Sequence, residues 1–156
     1  MLAEGGNRMN NEPASRRVSW CLVGLIVSLL MVGFVSHTPI RHAIQVTPAC
    51  LVAALTWRGA SWSRFAALPV FLIWLLLMIL IWLYLLGIAH VISGTFSGTE
   101  IPLTIAIGLA AIAGTVFVFR NKDSLTWAPR LIAFFFGAAL QVAALWLSFQ
   151  PGFARR

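Results

Sequence analysis

Apolar residues in this chain come in long blocks rather than in alternating stripes. Val18 to Val35, Pro69 to Val91, Ile101 to Phe119 and Leu131 to Phe149 each run for eighteen residues or more with no Asp, Glu, Lys or Arg inside. A helix needs about 20 apolar residues to cross roughly 30 Å of hydrocarbon. Each block therefore predicts a transmembrane helix. A fifth block, Ala43 to Trp57, is shorter and is diluted by Gln45, Thr47 and Pro48.

The fifth block reaches full length if its helix starts at Pro39. Thr38 followed by Pro39 is an N-cap and first-turn pair: the hydroxyl can accept from an orphan amide, and proline has no amide to leave unpaired. Residues 39–57 then span about 28 Å at roughly 1.5 Å per residue. Pro48 falls inside, where it removes one donor and crowds the carbonyl of Ile44, so a kink is expected there.

The placement of positive charge separates the two topologies. Cytoplasmic loops are enriched in Lys and Arg. With five crossings and the N-terminus inside, Arg8, Arg16, Arg17, Arg58, Arg64, Arg120, Lys122 and Arg130 lie inside, and Arg41, Arg155 and Arg156 lie outside, eight against three. Without the second crossing the count is five against six, which is no bias. Tryptophan prefers the membrane interface, and Trp20, Trp57, Trp62 and Trp127 all fall at the cytoplasmic ends of these spans, with Trp146 near the outer face. The expected fold is an all-α bundle of five transmembrane helices, the second short and proline-kinked, N-in and C-out. Its spans are 18–35, 39–57, 69–91, 101–119 and 131–149, within a membrane domain at 16–150.

Composition agrees. The 156 residues are 60% hydrophobic and 10% charged, with a mean hydropathy of +0.92 and a formal charge of +7. Soluble domains carry about 25% charged residues. The basic residues stand singly or in pairs between apolar blocks, so they encode topology and not a nucleic-acid surface. Residues 1–15 are polar and aperiodic and are expected to form a disordered tail; residues 151–156 form a short one. Arg16 and Arg17 open an export-like stretch, but Ser19 and Trp20 follow where a twin-arginine signal has large apolar residues. Trp20 before Cys21 also breaks a lipoprotein box, and no A-x-A site closes the run. It reads as an uncleaved first span in a bacterial-type cytoplasmic membrane. Cys21 and Cys50 sit at different depths and read as small apolar residues rather than a disulfide.

The spans differ in character. The stretch "FLIWLLLMILIWLYLL" at 71–86 has no Gly, Ala or Ser, which suits lipid or a greasy partner. Elsewhere small residues recur four apart: Ala106, Ala110 and Gly114; Ala133, Gly137 and Gln141; Gly24 and Ser28. Close backbone approach drives helix association in lipid, so these are expected packing faces. Gln141, at mid-span, needs a hydrogen bond within the bundle.

Catalytic signatures are missing. No ionisable Asp, Glu, Lys or Arg lies in the central bilayer of any span, which argues against coupled transport. There is no phosphate loop, no metal-spaced Cys pair and no H-E-x-x-H, and "SGTFSGTE" around Ser97 is not a nucleophile elbow. Polar residues do collect at one end: His37, Arg41, His42, Gln45, His90 and Glu100 all map to the outer face. Two readings follow. In one, Arg41 and the histidines are interfacial anchors and Glu100 caps the fourth span. In the other, the cluster holds a lipid head group, quinone, metal, haem or peptide. No cofactor or metal follows from the spacing. The functional expectation is a non-enzymatic accessory or scaffold subunit, partnered by the bilayer and by other membrane proteins or copies of itself. An outer-face redox or ligand-binding protein comes next, then a small facilitator or channel.

Overall fold

The structure is a computed structural model that describes residues 5–91, 94, 96–120 and 125–152, with side chains from residue 15 onward. It contains five helices: α1 (Gly5–Val35), α2 (Pro39–Trp57), α3 (Ser63–Leu85), α4 (Glu100–Arg120) and α5 (Trp127–Ser148). Among the described residues there is no strand. Four of the helices, all except α2, are long and apolar enough to cross a membrane. The chain is a helical, multi-pass membrane protein.

Helix bounds differ from the apolar blocks where polar residues take part in a helix. Helix α1 is helical from Gly5, ahead of Val18, so part of the stretch read as tail continues the helix; residues 1–4 and 153–156 lie outside the described residues. Extending an existing helix fixes one residue per added hydrogen bond, so polarity alone does not stop it. Helix α3 runs from Ser63 and ends at Leu85, whereas its apolar block runs from Pro69 to Val91. Pro69 is therefore an interior residue, and Ser63 and Arg64 are buried helical positions.

Contacts between named side chains fix the directions of the helices. Trp20 of α1 packs edge-on against Trp57 of α2 at 5.5 Å, and Arg17 stands over Phe117 of α4 at 5.9 Å. Trp82 of α3 donates to Thr104 of α4, while Arg41 of α2 covers Phe149 just past α5. Arg130 of α5 stands over Phe65 of α3 at 5.3 Å. Successive helices therefore alternate up and down. Neighbours follow the ring order α1, α2, α5, α3, α4, with α3 also touching α1 and α2.

That position for α3 divides the stretch expected to suit lipid or a greasy partner: Leu72, Leu76 and Ile79 are exposed, and the opposite side packs inward. Among the four apolar helices α3 is the most buried, with Val70, Phe71, Trp74 and Met78 in the core. Its large side chains need small partners, and the other helices supply them. A Cβ on Gly114 would strike the Phe71 ring, one on Gly108 would strike the Trp82 ring, and one on Gly137 would strike the backbone carbonyl of Ala66. Large residues of one helix thus seat in notches of the next, which is how backbones approach in lipid.

Three helix ends are built alike. At each, the residue three past the helix donates its amide to a carbonyl five residues back in the last turn, and a residue with positive φ sits before it, the Schellman arrangement. Gly59 (φ 77) follows α2 and Gly87 (φ 71) follows α3, but after α1 the position belongs to His37 (φ 57). There Thr38 N–H donates to Gly33 O at 2.8 Å and His37 N–H to Phe34 O at 3.2 Å.

Candidate functional site

The alternating directions bring the starts of α2 and α4 and the end of α5 to one end of the bundle. All six residues of the polar cluster lie at that end or at its margin, and their chemistry follows from where each bond terminates.

His42 packs against Gly33 of α1, where a glycine Cβ would come within 2.8 Å of the His42 Cβ. Its Nδ1 lies 3.1 Å from the backbone carbonyl of Thr38 and 3.2 Å from the Thr38 hydroxyl. The Thr38 hydroxyl is also 2.7 Å from that of Ser36, which donates to Val32 O at 2.8 Å. A carbonyl only accepts, so the direction of the whole chain is fixed. Ser36 donates to Val32, Thr38 donates to Ser36, and His42 Nδ1–H donates to Thr38. The imidazole is a donor here and takes no proton from either hydroxyl, so this is not a nucleophile and base pair. Thr38 occupies the N-cap of α2 but makes no side-chain capping bond, contrary to the expectation from the Thr-Pro pair.

Gln45 is buried and its Nε2 donates to Ser148 Oγ at 2.9 Å. Ser148 in turn donates to Leu145 O at 2.7 Å, again ending on a carbonyl. Gln141, fully buried, donates from Nε2 to Gln45 O at 3.2 Å. Its Oε1 is buried without a hydrogen-bond partner.

Glu100 is buried at the start of α4. Its Oε2 accepts from Ser97 N–H at 2.6 Å, and Ser97 Oγ accepts from Glu100 N–H at 3.3 Å. This reciprocal pair is a capping box, in which a negative side chain also meets the positive helix end. Arg41 does not pair with it; the guanidinium lies 4.2 Å over the Phe149 ring. Both Arg41 and Glu100 still act electrostatically on His42. His37 is exposed, and His90 is exposed with its ring edge-on to Tyr84 at 6.0 Å. Among the described residues, no three His, Cys, Asp or Glu side chains gather as a metal-holding group.

Of the small residues four apart, Gly114, Ala133, Gly137 and Gln141 are buried, Ser28 and Ala110 are half-buried, and Gly24 and Ala106 are exposed. The buried stripe of α4 runs instead through Thr104, Ile107, Gly108, Ala111, Gly114 and Val118. A four-residue spacing drifts by about 40° per step around a helix of 3.6 residues per turn, so the α4 repeat reaches the packing face only at Gly114, whereas Ala133, Gly137 and Gln141 on α5 all stay buried. Sequence reasoning passed over Ser36, Ser148 and Gly33, whose roles depend on the partner helix.

Comparisons with protein-family models, with curated proteins and with solved structures find no match to this chain.

Proposed function

We propose that this is a five-crossing protein of a bacterial cytoplasmic membrane, N-in and C-out, acting as a non-enzymatic accessory or scaffold subunit. One observation carries this reading: the Ser36, Thr38 and Ser148 hydroxyls, His42 Nδ1 and the side-chain N–H groups of Gln45 and Gln141 are committed in bonds that finish on the chain's own carbonyls, Val32 O and Leu145 O among them. Such groups hold helices in place and leave no activated nucleophile. Glu100 supports the same reading because its carboxylate caps its own helix.

The partner-facing surface extends from the exposed side of α3, with Leu72, Leu76 and Ile79, to α5. That helix is the least buried of the four apolar ones and exposes Ile132, Phe135, Phe136, Val142 and Trp146. The test is purification of the full chain from its native membrane in mild detergent, followed by native mass spectrometry. A second membrane protein, or a further copy, at fixed stoichiometry supports the scaffold reading. A monomer carrying a stoichiometric metal or chromophore would replace it with the ligand-binding one.

A further inference from the structure

At the histidine end of the bundle, the ring of His42 sits in a notch that a glycine leaves open. We infer that His42 is a proton-operated catch on the seam between α1 and α2: neutral, it stays seated on Gly33; protonated, it leaves the notch for the carboxylate of Glu100. A Cβ on Gly33 would lie 2.8 Å from His42 Cβ, 2.9 Å from Cγ and 3.1 Å from Nδ1, so the ring rests directly on the α1 backbone. One ring nitrogen is committed. Nδ1–H donates to Thr38, whose hydroxyl donates to Ser36, which donates to Val32 O, so the seated ring is tied to the last turn of α1. Nε2 makes no hydrogen bond among the described residues, so a second proton has one place to go.

Helix register makes Glu100 the destination. Arg17 of α1 stands over Phe117 of α4, and the two helices run in opposite directions. Sixteen residues on from Arg17 is Gly33 and sixteen back from Phe117 is Ile101, so Glu100 lies level with the notch to within a turn. Its Oε2 holds the Ser97 amide, which leaves Oε1 to accept from an imidazolium without breaking the cap. The remaining charges push the same way. Arg41, next in the chain, is held over Phe149 beyond α5 and acts on His42 as a like charge, whereas Glu100 acts as the opposite one. Helix α1 brings no charged or titratable group nearer than Cys21, twelve residues from Gly33, and α5 has Arg130 only near its other end. Exposed His37 precedes α2, and on the α3 side stand Tyr84, whose hydroxyl donates to Gly94 O, and exposed His90. Among the residues whose side chains are described, Glu100 is thus the one carboxylate that a second cation beside Arg41 can turn to. Histidine gains that charge within the ordinary pH range. His37, at φ 57, shows that the turn before α2 is held against its own preference, so unseating His42 releases a strained segment.

The inference rests on the helix packing, and on neither the scaffold role nor the orientation. The test is amide hydrogen exchange of the full chain in lipid nanodiscs, read by mass spectrometry at about pH 8 and about pH 5.5 and corrected for intrinsic exchange, two conditions that straddle histidine's ordinary range. Peptides covering Gly33 to Ala43 should exchange about tenfold faster at the lower pH, while those from the middle of α5 keep their protection. His42→Asn keeps a donor near the Nδ1 position but cannot titrate, and should show no pH response. Glu100→Gln keeps the cap without the charge, and should cut the response to about threefold or less. His37→Gln with His90→Gln removes the two exposed imidazoles at the same end and should leave the full response in place. A response that survives in His42→Asn, or that disappears in the His37/His90 control, would overturn the catch in favour of the exposed histidines. Wild-type exchange that is unchanged or slower at the lower pH would overturn it outright. If His42→Asn does not fold, Glu100→Gln decides, because a full response without that charge would also overturn the proposal.

Discussion

The side-chain amide of Gln141 on α5 donates to the backbone carbonyl of Gln45 on α2 at 3.2 Å, in the turn that precedes Pro48. Pro48 has no N–H to give to Ile44, so this turn of α2 is short of donors, and a side chain from another helix supplies one next to the gap. The bond also fixes the amide's orientation. A flipped Gln141 would set its oxygen against the Gln45 carbonyl, so Oε1 faces the other way and stays buried without a partner.

Gln141→Leu therefore removes one interhelix bond worth about 1 kcal/mol and also one unsatisfied acceptor worth about 1 to 3 kcal/mol. The variant should match or exceed wild type in thermal unfolding in detergent. Gln141→Glu puts a charge at the same depth and should unfold several degrees earlier or fail to accumulate. A large loss of stability in the leucine variant would mean the amide does more than bridge α2 and α5.

His37 occupies a left-handed position that glycine fills at the ends of α2 and α3. A side chain there costs roughly 1 kcal/mol relative to glycine. His37→Gly should raise thermal stability by about that amount while leaving secondary structure unchanged. Stabilisation accompanied by loss of a partner or ligand would show that the histidine is kept for recognition despite its strain.

Local signals and interhelix partners were unequally legible in the sequence. The ends of α2 were readable from Pro39 and from Gly59, because proline and glycine carry their conformational limits with them. Gly87 carried the same signal at the end of α3, yet the apolar run to Val91 masked it. Ser97 and Glu100 stand at the capping-box spacing, so a structural role for that carboxylate could be read locally. The inward placement of α3 could not. It depends on Gly108, Gly114 and Gly137 lying opposite Trp82, Phe71 and Ala66, a match that no single helix encodes. His42 and Gln45 likewise gain their partners from two different helices, α1 and α5.

The glycines separate packing from composition. A methyl at Gly137 meets the Ala66 carbonyl, backbone that cannot rotate away, whereas one at Gly24 meets nothing within 4 Å. Gly137→Ala should lower stability by about 2 kcal/mol or more, in the range of overpacked cores. Gly24→Ala should be neutral or stabilising by up to about 1 kcal/mol from helix propensity. Denaturant titration of both variants in one detergent checks the order, and a reversal would contradict the α3–α5 contact.

Glu100 distinguishes a cap from a ligand-binding charge. Gln retains the geometry that accepts Ser97 N–H, so Glu100→Gln should lie within about 0.5 kcal/mol of wild type, and Glu100→Ala should lose about 1 kcal/mol. If the glutamine variant instead abolishes binding of a partner or ion while staying folded, the carboxylate's charge is functional.

The crossing of α2 decides which residues share a compartment. It is the one helix that falls short on apolarity, yet it buries Gln45, Val46, Ala49, Val52 and Thr56 along its length and hands its polar groups to α5. In the five-crossing arrangement proposed above, a helix held that way crosses with its neighbours rather than lying on the surface. Single cysteines at Ser61 and Gly98, in a background with Cys21 and Cys50 replaced by alanine, should react with a membrane-impermeant maleimide from opposite sides. With the N-terminus inside, Gly98→Cys labels in intact cells and Ser61→Cys labels only after the membrane is opened. A cysteine at Gly152 should label with the Gly98 position, since α5 ends beside the start of α2. Labelling of 61 and 98 from one side would return α2 to the interface and part the histidines at the start of α2 from the capped start of α4.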